Sequence, residues 1–223
     1  MQIYFKECNR SNYKAGRTGS IKYIVIHYTA NNGDTAKGNA SYFANNDIGA
    51  SAHYFVDEEE IWQSVKDSDT AWHCGAKTYK HSYCRNPNSL GVEMCSRKDG
   101  TGRYYFKAET VTNTVQLVKT LMAKYSIPNA NVIRHYDVTG KNCPAPFVED
   151  EAAWQVFKKK LTKEDAEMTE KSKPAGWAED AAAWGVENGI VKGDEQEDCK
   201  WQEPLTREAF AVMLKRYHEA FND

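Results

Sequence analysis

Ile21-Lys22-Tyr23-Ile24-Val25-Ile26-His27 is a short β-branched run with few breakers, and it reads as a buried strand. Asn31-Asn32-Gly33-Asp34 follows as a loop. Residues 35–46 are expected to form a helix that ends in the turn Asn45-Asn46-Asp47. His53-Tyr54-Phe55-Val56 and Ile61-Trp62-Gln63-Ser64 flank an acidic turn at residues 57–60, the signature of a hairpin. Leu90-Gly91-Val92-Glu93-Met94 is another short strand. Residues 108–125 carry Val111, Val115, Leu117, Val118, Leu121 and Met122, which predicts a long amphipathic helix stopping before Pro128. Val132-Ile133 is a short strand leading into a loop, and residues 151–161 are a further helix. Strands and helices interleave, so the predicted class is α/β with a central sheet.

Beyond this domain, residues 1–160, the composition changes. Residues 158–174 are rich in Lys, Glu, Thr and Ser and poor in large apolar side chains, which marks a linker over 161–173. In residues 174–223, Trp177, Ala181, Trp184 and Val186 sit near helical spacing, with Gly189 as a stop. Thr206 reads as an N-cap, and Ala209, Phe210, Val212, Met213, Leu214 and Tyr217 as the core stripe of a last helix. A helical module of about 50 residues is marginal alone, so it is expected to pack on something or to oligomerise. Met168 is a candidate internal start that would give free tail subunits.

Charge divides the chain in the same place. The 223 residues carry a formal charge of −2, but residues 1–160 hold 21 basic and 16 acidic side chains, +5, and residues 161–223 hold 8 and 15, −7. Hydrophobic residues at 41% and aromatics at 12% suffice for a packed core and exclude wholesale disorder. No apolar run approaches the ~20 residues needed to span a bilayer. The start, Met1-Gln2-Ile3-Tyr4-Phe5-Lys6-Glu7-Cys8, lacks the basic and apolar regions of a signal peptide, which predicts synthesis in the cytoplasm. Near-neutral charge without a Lys/Arg cluster argues against nucleic acid as partner. Six cysteines (Cys8, Cys74, Cys84, Cys95, Cys143, Cys199) are too sparse for a disulfide scaffold and read as buried thiols or metal ligands.

The densest chemistry is His135-Tyr136-Asp137-Val138-Thr139-Gly140-Lys141-Asn142-Cys143-Pro144, where a His, a Lys and a Cys share a Gly/Pro-bounded loop after a strand. Zinc favours imidazole nitrogen and thiolate sulfur, and a catalytic zinc takes three protein ligands with a fourth position left for water. His135 and Cys143 are two candidates, and His27 is the natural third, because ligand sites form at the carboxyl edges of strands in α/β sheets. The residues alone equally allow a core thiol and two hydrogen-bonded histidines. Cys74, His81 and Cys84 match no strong zinc spacing and read as buried thiols beside a histidine.

Five segments occur in an order that resembles the zinc-dependent N-acetylmuramoyl-L-alanine amidases, which include phage endolysins, bacterial wall amidases and the animal peptidoglycan-recognition proteins. They are Ile24-Val25-Ile26-His27-Tyr28-Thr29-Ala30, Ser51-Ala52-His53-Tyr54, Ala71-Trp72-His73-Cys74-Gly75, Asn88-Ser89-Leu90-Gly91-Val92-Glu93 and residues 135–144. The likeness covers residues 20–160 and is strongest to phage and prophage lysins. It implies a central mixed β-sheet flanked by helices, and zinc held by His27, His135 and Cys143. Lys141 matches the family's catalytic lysine and Glu93 its general base. The implied reaction is hydrolysis, by zinc-activated water, of the amide joining N-acetylmuramic acid to the L-alanine of the stem peptide in bacterial peptidoglycan. His73 falls in a stretch that lines the family's substrate cleft, which implies either substrate contact or loop stabilisation. Some members carry a catalytic Tyr where this chain has Ala52, which leaves the base role to Glu93 and makes Tyr54 structural. Non-catalytic receptors on this fold commonly replace the zinc-ligand Cys, whereas Cys143 and Glu93 are both present here.

The tail resembles a single S-layer homology repeat through Trp177-Ala178-Glu179-Asp180, residues 184–193 and Leu205-Thr206-Arg207-Glu208-Ala209-Phe210. The resemblance implies either binding of a secondary cell-wall polymer, with Arg207 at the site, or assembly of a homo-oligomer. Taken together, the expectation is a lysin made in the cytoplasm that acts on the wall after release. A host recycling amidase is the alternative that would have little use for such a tail.

Overall fold

The β-branched run is a strand, Tyr23–Tyr28, with five of its six residues buried. The computed structural model describes residues 2–162, 174–193, 199 and 201–221, and the chain divides into two compact units, 1–162 and 163–223. The first unit runs β1 (Tyr4–Phe5), β2 (Tyr13–Lys14), β3 (Tyr23–Tyr28), α1 (Ala36–Asn45), β4 (Tyr54–Val56), β5 (Ile61–Gln63), β6 (Thr70–Ala71), β7 (Ser89–Met94), β8 (Arg97–Lys98), β9 (Tyr104–Tyr105), α2 (Ala108–Tyr125), β10 (Val132–Arg134), α3 (His135–Thr139), α4 (Ala145–Val148) and α5 (Glu151–Thr162). Six strands make the central sheet in the order β1-β5-β4-β7-β3-β10. Its neighbours are parallel except at the β4–β5 hairpin, so the sheet is mixed.

Side chains alternate across a strand, so each strand divides its residues between two faces. Ile24 and Ile26 of β3, with Leu90, Val92 and Met94 of β7, join Leu117, Val118 and Leu121 of α2 and Phe157 of α5 in the main core. Tyr23 and Val25 point the other way, into a smaller cluster with Ile133, Val138, Cys74 and Cys84. On that same side Ala36 and Ala40 of α1 pack with Phe55 and Cys95. The helices therefore flank both faces, and the face under α1 and α3 receives His27 and Glu93. Parallel pairing sets these two residues side by side, His27 of β3 opposite Glu93 of β7, near the carboxyl ends of their strands.

The predicted helices at 35–46, 108–125 and 151–161 are present as α1, α2 and α5. Thr35 caps α1 by accepting from Gly38 N at 3.0 Å. The end of α2 is made by Ser126 in the left-handed region (φ 52°), before Pro128 is reached. One expectation is corrected: residues 135–139 are not loop but the short helix α3. Asp137 accepts from Arg134 N at 2.9 Å at its start, and Gly140 closes it with φ 85°. The two-residue strands β1, β2, β6, β8 and β9 are too short to show a period in the sequence.

The second unit contains α6 (Glu179–Glu187) and α7 (Arg207–Phe221). Gly189 lies beyond α6 at φ 68°, and Thr206 Oγ1 accepts from Ala209 N at 3.1 Å, as an N-cap does. The predicted core stripe is corrected: Phe210, Val212, Leu214 and Tyr217 are about half exposed, and no residue of α7 is buried. A small helical unit encloses too little volume to cover two amphipathic faces. The predicted linker, from residue 163 onward and including Met168, lies outside the described residues.

Arg134 fixes the exit from β10 toward the site. Its guanidinium, 10% exposed, donates to Phe147 O at 2.9 Å, to Asp137 at 3.0 and 3.1 Å and to Glu151 at 2.6 Å. Replacing it by Met leaves the Phe147 carbonyl without that donor and should destabilise unit 1 by about 1–3 kcal/mol. Glu151→Ala, at a carboxylate 60% exposed, should cost below ~1 kcal/mol. Urea denaturation of both variants checks the order, and equal effects would contradict it.

Candidate metal centre

Three side chains converge at the carboxyl edge of the sheet. His27 ends β3, His135 opens α3, and Cys143 follows the turn that closes α3. All three are buried, and their potential ligand atoms lie within 4.8 Å of one another. His27 Nδ1 is 3.7 Å from Cys143 Sγ, and the His27 and His135 ring centroids are 4.6 Å apart. The turn is drawn tight by two backbone bonds, Cys143 N to Lys141 O at 2.7 Å and Tyr136 N to Cys143 O at 2.8 Å. They return Cys143 to the histidine that began the segment.

The electrostatics suit a cation. Burial holds His27 well below the ordinary imidazole value, and the neighbouring His135, His73 and Lys141 act in the same direction. Burial and Lys141 hold His135 down to about 4. Both imidazoles are therefore neutral near pH 7, which is the ligating form. Burial, reinforced by Glu93, pushes the Cys143 thiol up to about 12, so a cation would have to displace its proton. His135 Nδ1 is buried without a hydrogen-bond partner, an expensive arrangement unless something else occupies its lone pair. Two imidazole nitrogens and one thiolate form a donor set that zinc takes in open, catalytic sites. The residues fit such an ion.

Glu93 stands at the edge of this triad. Its Oε1 is 3.9 Å from His27 Nδ1, and its Oε2 is buried without a partner. Burial pushes this carboxyl up to about 8, Lys141 opposing the rise and Asp34 adding to it. Lys141 is exposed and lines, with His27, Glu93, His135 and Cys143, a cavity of about 680 Å³ whose outer wall includes Tyr42 and Trp72. An adjoining cavity of about 670 Å³ shares Trp72, His73, His135 and Lys141. A carboxylate, a lysine and three metal-type ligands thus face one space large enough for a glycopeptide fragment.

The other predicted residues fall as follows. His73 lines both cavities, but its two ring nitrogens are engaged by protein: Nδ1 is 3.0 Å from His27 Nε2, and Nε2 is 3.1 Å from Ser89 Oγ. Ser89 carries no signature in the sequence, where a serine opening a strand is chemically ordinary. Tyr54 belongs to the main core and donates its hydroxyl to Asp67 Oδ1 at 2.6 Å. Cys74 and Cys84 are buried thiols, and His81 Nδ1 accepts from the backbone of Tyr83 and Cys84. Among the described residues the His27–His135–Cys143 group is the one metal-type cluster. Arg207 is the exposed first residue of α7, in the second unit.

The profile of the N-acetylmuramoyl-L-alanine amidase family matches residues 17–146. The chain is 36% identical over 166 residues to the N-acetylmuramoyl-L-alanine amidase CwlL of Bacillus licheniformis, covering 70% of this chain and 45% of that protein. Over 154 residues it is 36% identical to the amidase BlyA of Bacillus subtilis (strain 168), covering 63% and 41%. The chain spans about half the length of the curated relatives it matches. Among solved structures, the catalytic domain of XlyA aligns with a TM-score of 0.60 at 31% identity, covering 72% of this chain and 99% of that one.

A carboxyl that resists ionisation has a measurable cost. With its value at about 8 in the folded protein, Glu93 ionises in the unfolded chain first, so the metal-free protein loses stability as pH rises from ~4.5 to ~8. Glu93→Gln escapes this loss. With chelator present it should gain on wild type over that window, by on the order of 1–3 kcal/mol. Urea denaturation at several pH values reads the difference, and a gap independent of pH would mean that Glu93 ionises normally.

Proposed function

Since the chain belongs to the N-acetylmuramoyl-L-alanine amidase family, we propose that unit 1 hydrolyses bacterial peptidoglycan at the amide between N-acetylmuramic acid and the L-alanine of the stem peptide. His27, His135 and Cys143 would hold a zinc ion. The observation that carries this reading is the convergence of those three ligands with Glu93 and Lys141 on one cavity. When bound, zinc supplies Lewis acidity, lowering the pKa of water to about 7 and polarising a carbonyl.

The chain's own residues then divide the work. Glu93, with a raised proton affinity and an oxygen 3.9 Å from a ligand nitrogen, is suited to take a proton from the attacking water and deliver it to the leaving alanine nitrogen. Lys141 brings a positive charge to the same cavity, where it would offset the oxyanion of the tetrahedral intermediate. Trp72 and Tyr42, partly exposed on the wall, offer faces on which a sugar ring can lie. A binding-only role on this fold has less support, because a receptor needs neither the thiolate ligand nor a poised carboxyl.

The biological role best supported is that of an endolysin, released to the wall after synthesis. The solved neighbours include a mutant endolysin from Bacillus subtilis, 32% identical to this chain. No helix among the described residues is long and apolar enough to cross a membrane. For the second unit, the exposed apolar side chains of α7 and a charge of −7 favour homo-oligomerisation over binding of an anionic wall polymer through Arg207. Light scattering of the full chain against residues 1–162 tests this. A monomeric full chain would leave the polymer reading.

Purified wall is expected to clear in a zymogram, to stop clearing with chelator and to recover with zinc. Free L-alanine amino groups should appear without new reducing ends. New reducing ends would instead indicate a glycosidase and overturn the assignment. Glu93→Gln should lose at least ~100-fold in turnover with zinc content unchanged, and Lys141→Met about 100- to 1000-fold.

A further inference from the structure

His27 can serve as a ligand through Nδ1 only if its proton sits on Nε2, and the surroundings of that ring contain a device that decides the matter. Ser89 Oγ donates its single proton to the Arg85 carbonyl at 2.7 Å. The Cys74 sulfur, 3.9 Å from Ser89 Oγ, is too distant to draw that proton from a carbonyl oxygen at 2.7 Å. With its proton committed, Ser89 Oγ can only accept from His73 Nε2, 3.1 Å away. With its proton on Nε2, His73 has a bare Nδ1, which accepts from His27 Nε2 at 3.0 Å. His27 Nδ1 is thereby left bare, and it is the nitrogen that faces Cys143 Sγ at 3.7 Å and Glu93 Oε1 at 3.9 Å.

The seat of His73 is shaped for this. Gly91, at the centre of β7, leaves the space that the ring fills: a Cβ there would come within 2.5 Å of His73 Cγ. The backbone N–H of His73 donates to Asn86 Oδ1 at 3.2 Å, and the His53 ring stands edge-on at 5.8 Å. The ring can neither rotate freely nor reach substrate with either nitrogen.

We infer that His73 is a positioning residue, the middle member of a one-way hydrogen-bond relay, Arg85 carbonyl–Ser89–His73–His27, which holds His27 in the tautomer that presents Nδ1 to the metal. The inference rests on the zinc reading for its purpose, but the tautomer itself belongs to the metal-free protein. Groups around a ligand that fix its tautomer and orientation typically contribute 10- to 100-fold to metal affinity.

Two measurements test it on the full chain. In metal-free protein labelled with ¹⁵N-histidine, long-range proton–nitrogen correlation should show His27 protonated on Nε2 and bare on Nδ1. The opposite tautomer would overturn the relay. Competition with a chromophoric chelator should then show zinc affinity reduced about 10- to 100-fold in His73→Ala and restored to within a few-fold in His73→Asn, whose side-chain oxygen can stand where Nδ1 does. Should His73→Ala fail to fold, Ser89→Ala serves: it keeps the ring but removes the bias, so both His27 tautomers should appear. A Ser89→Ala protein with a single unchanged tautomer, or a folded His73→Ala protein with wild-type zinc affinity, would defeat the inference. Wild-type protein that binds no zinc while keeping the expected tautomer would defeat the zinc reading alone.

Discussion

Parallel pairing of β3 with β7 in one particular register sets His27 opposite Glu93, and the rest of the site is arranged around that pair. A one-residue slip of β3 would turn His27 to the face occupied by α2 and α5, and a slip of β7 would do the same to Glu93, so the register is held by the whole apolar alternation of Ile24, Ile26, Leu90, Val92 and Met94. The packing that stabilises the sheet and the placement of this imidazole and carboxyl are therefore a single constraint. Gly91 belongs to it as well, since its missing side chain is what admits His73 behind His27.

Around this pair the chain gathers groups that are uncomfortable without a cation. Two imidazoles kept neutral, a thiol kept protonated and a carboxyl with a raised proton affinity occupy one poorly solvated corner. Each stores free energy that an ion or a transferred proton can release, the pattern expected where binding or catalysis is performed rather than where a core is merely filled. The one cationic side chain lining this cavity, Lys141, sits at its exposed rim, apart from the buried imidazoles and thiol.

Much of this was legible because it rests on local patterns. The β-branched run at 21–27, the long amphipathic stretch at 108–125 and the acidic turn at 57–60 each carry their signal within a few residues, and each appears where expected. His135 and Cys143 were visible through their spacing on one loop. The α3 helix was missed because it depends on a single cap from Asp137 and a left-handed glycine rather than on a hydrophobic period. Ser89 and the role of His73 were hidden for a different reason: a relay is a property of which atom faces which, and residues 27, 73, 85 and 89 are joined only by the fold. The apolar stripe of α7 shows the converse error. Its helical period was real, but a period predicts a face and not what covers it.

The depth at which Cys143 lies has a further consequence, for the chemical durability of the chain. Oxidants and electrophiles attack thiolate, and a sulfur whose proton is retained up to about pH 12 exposes almost none of it at neutral pH. Five other cysteines accompany it, and Cys8, Cys74, Cys84 and Cys95 are buried as well. The metal-free chain thus keeps this sulfur in a dormant form. A cation bound there would both activate that sulfur and cap it, leaving no interval in which it is reactive and unprotected.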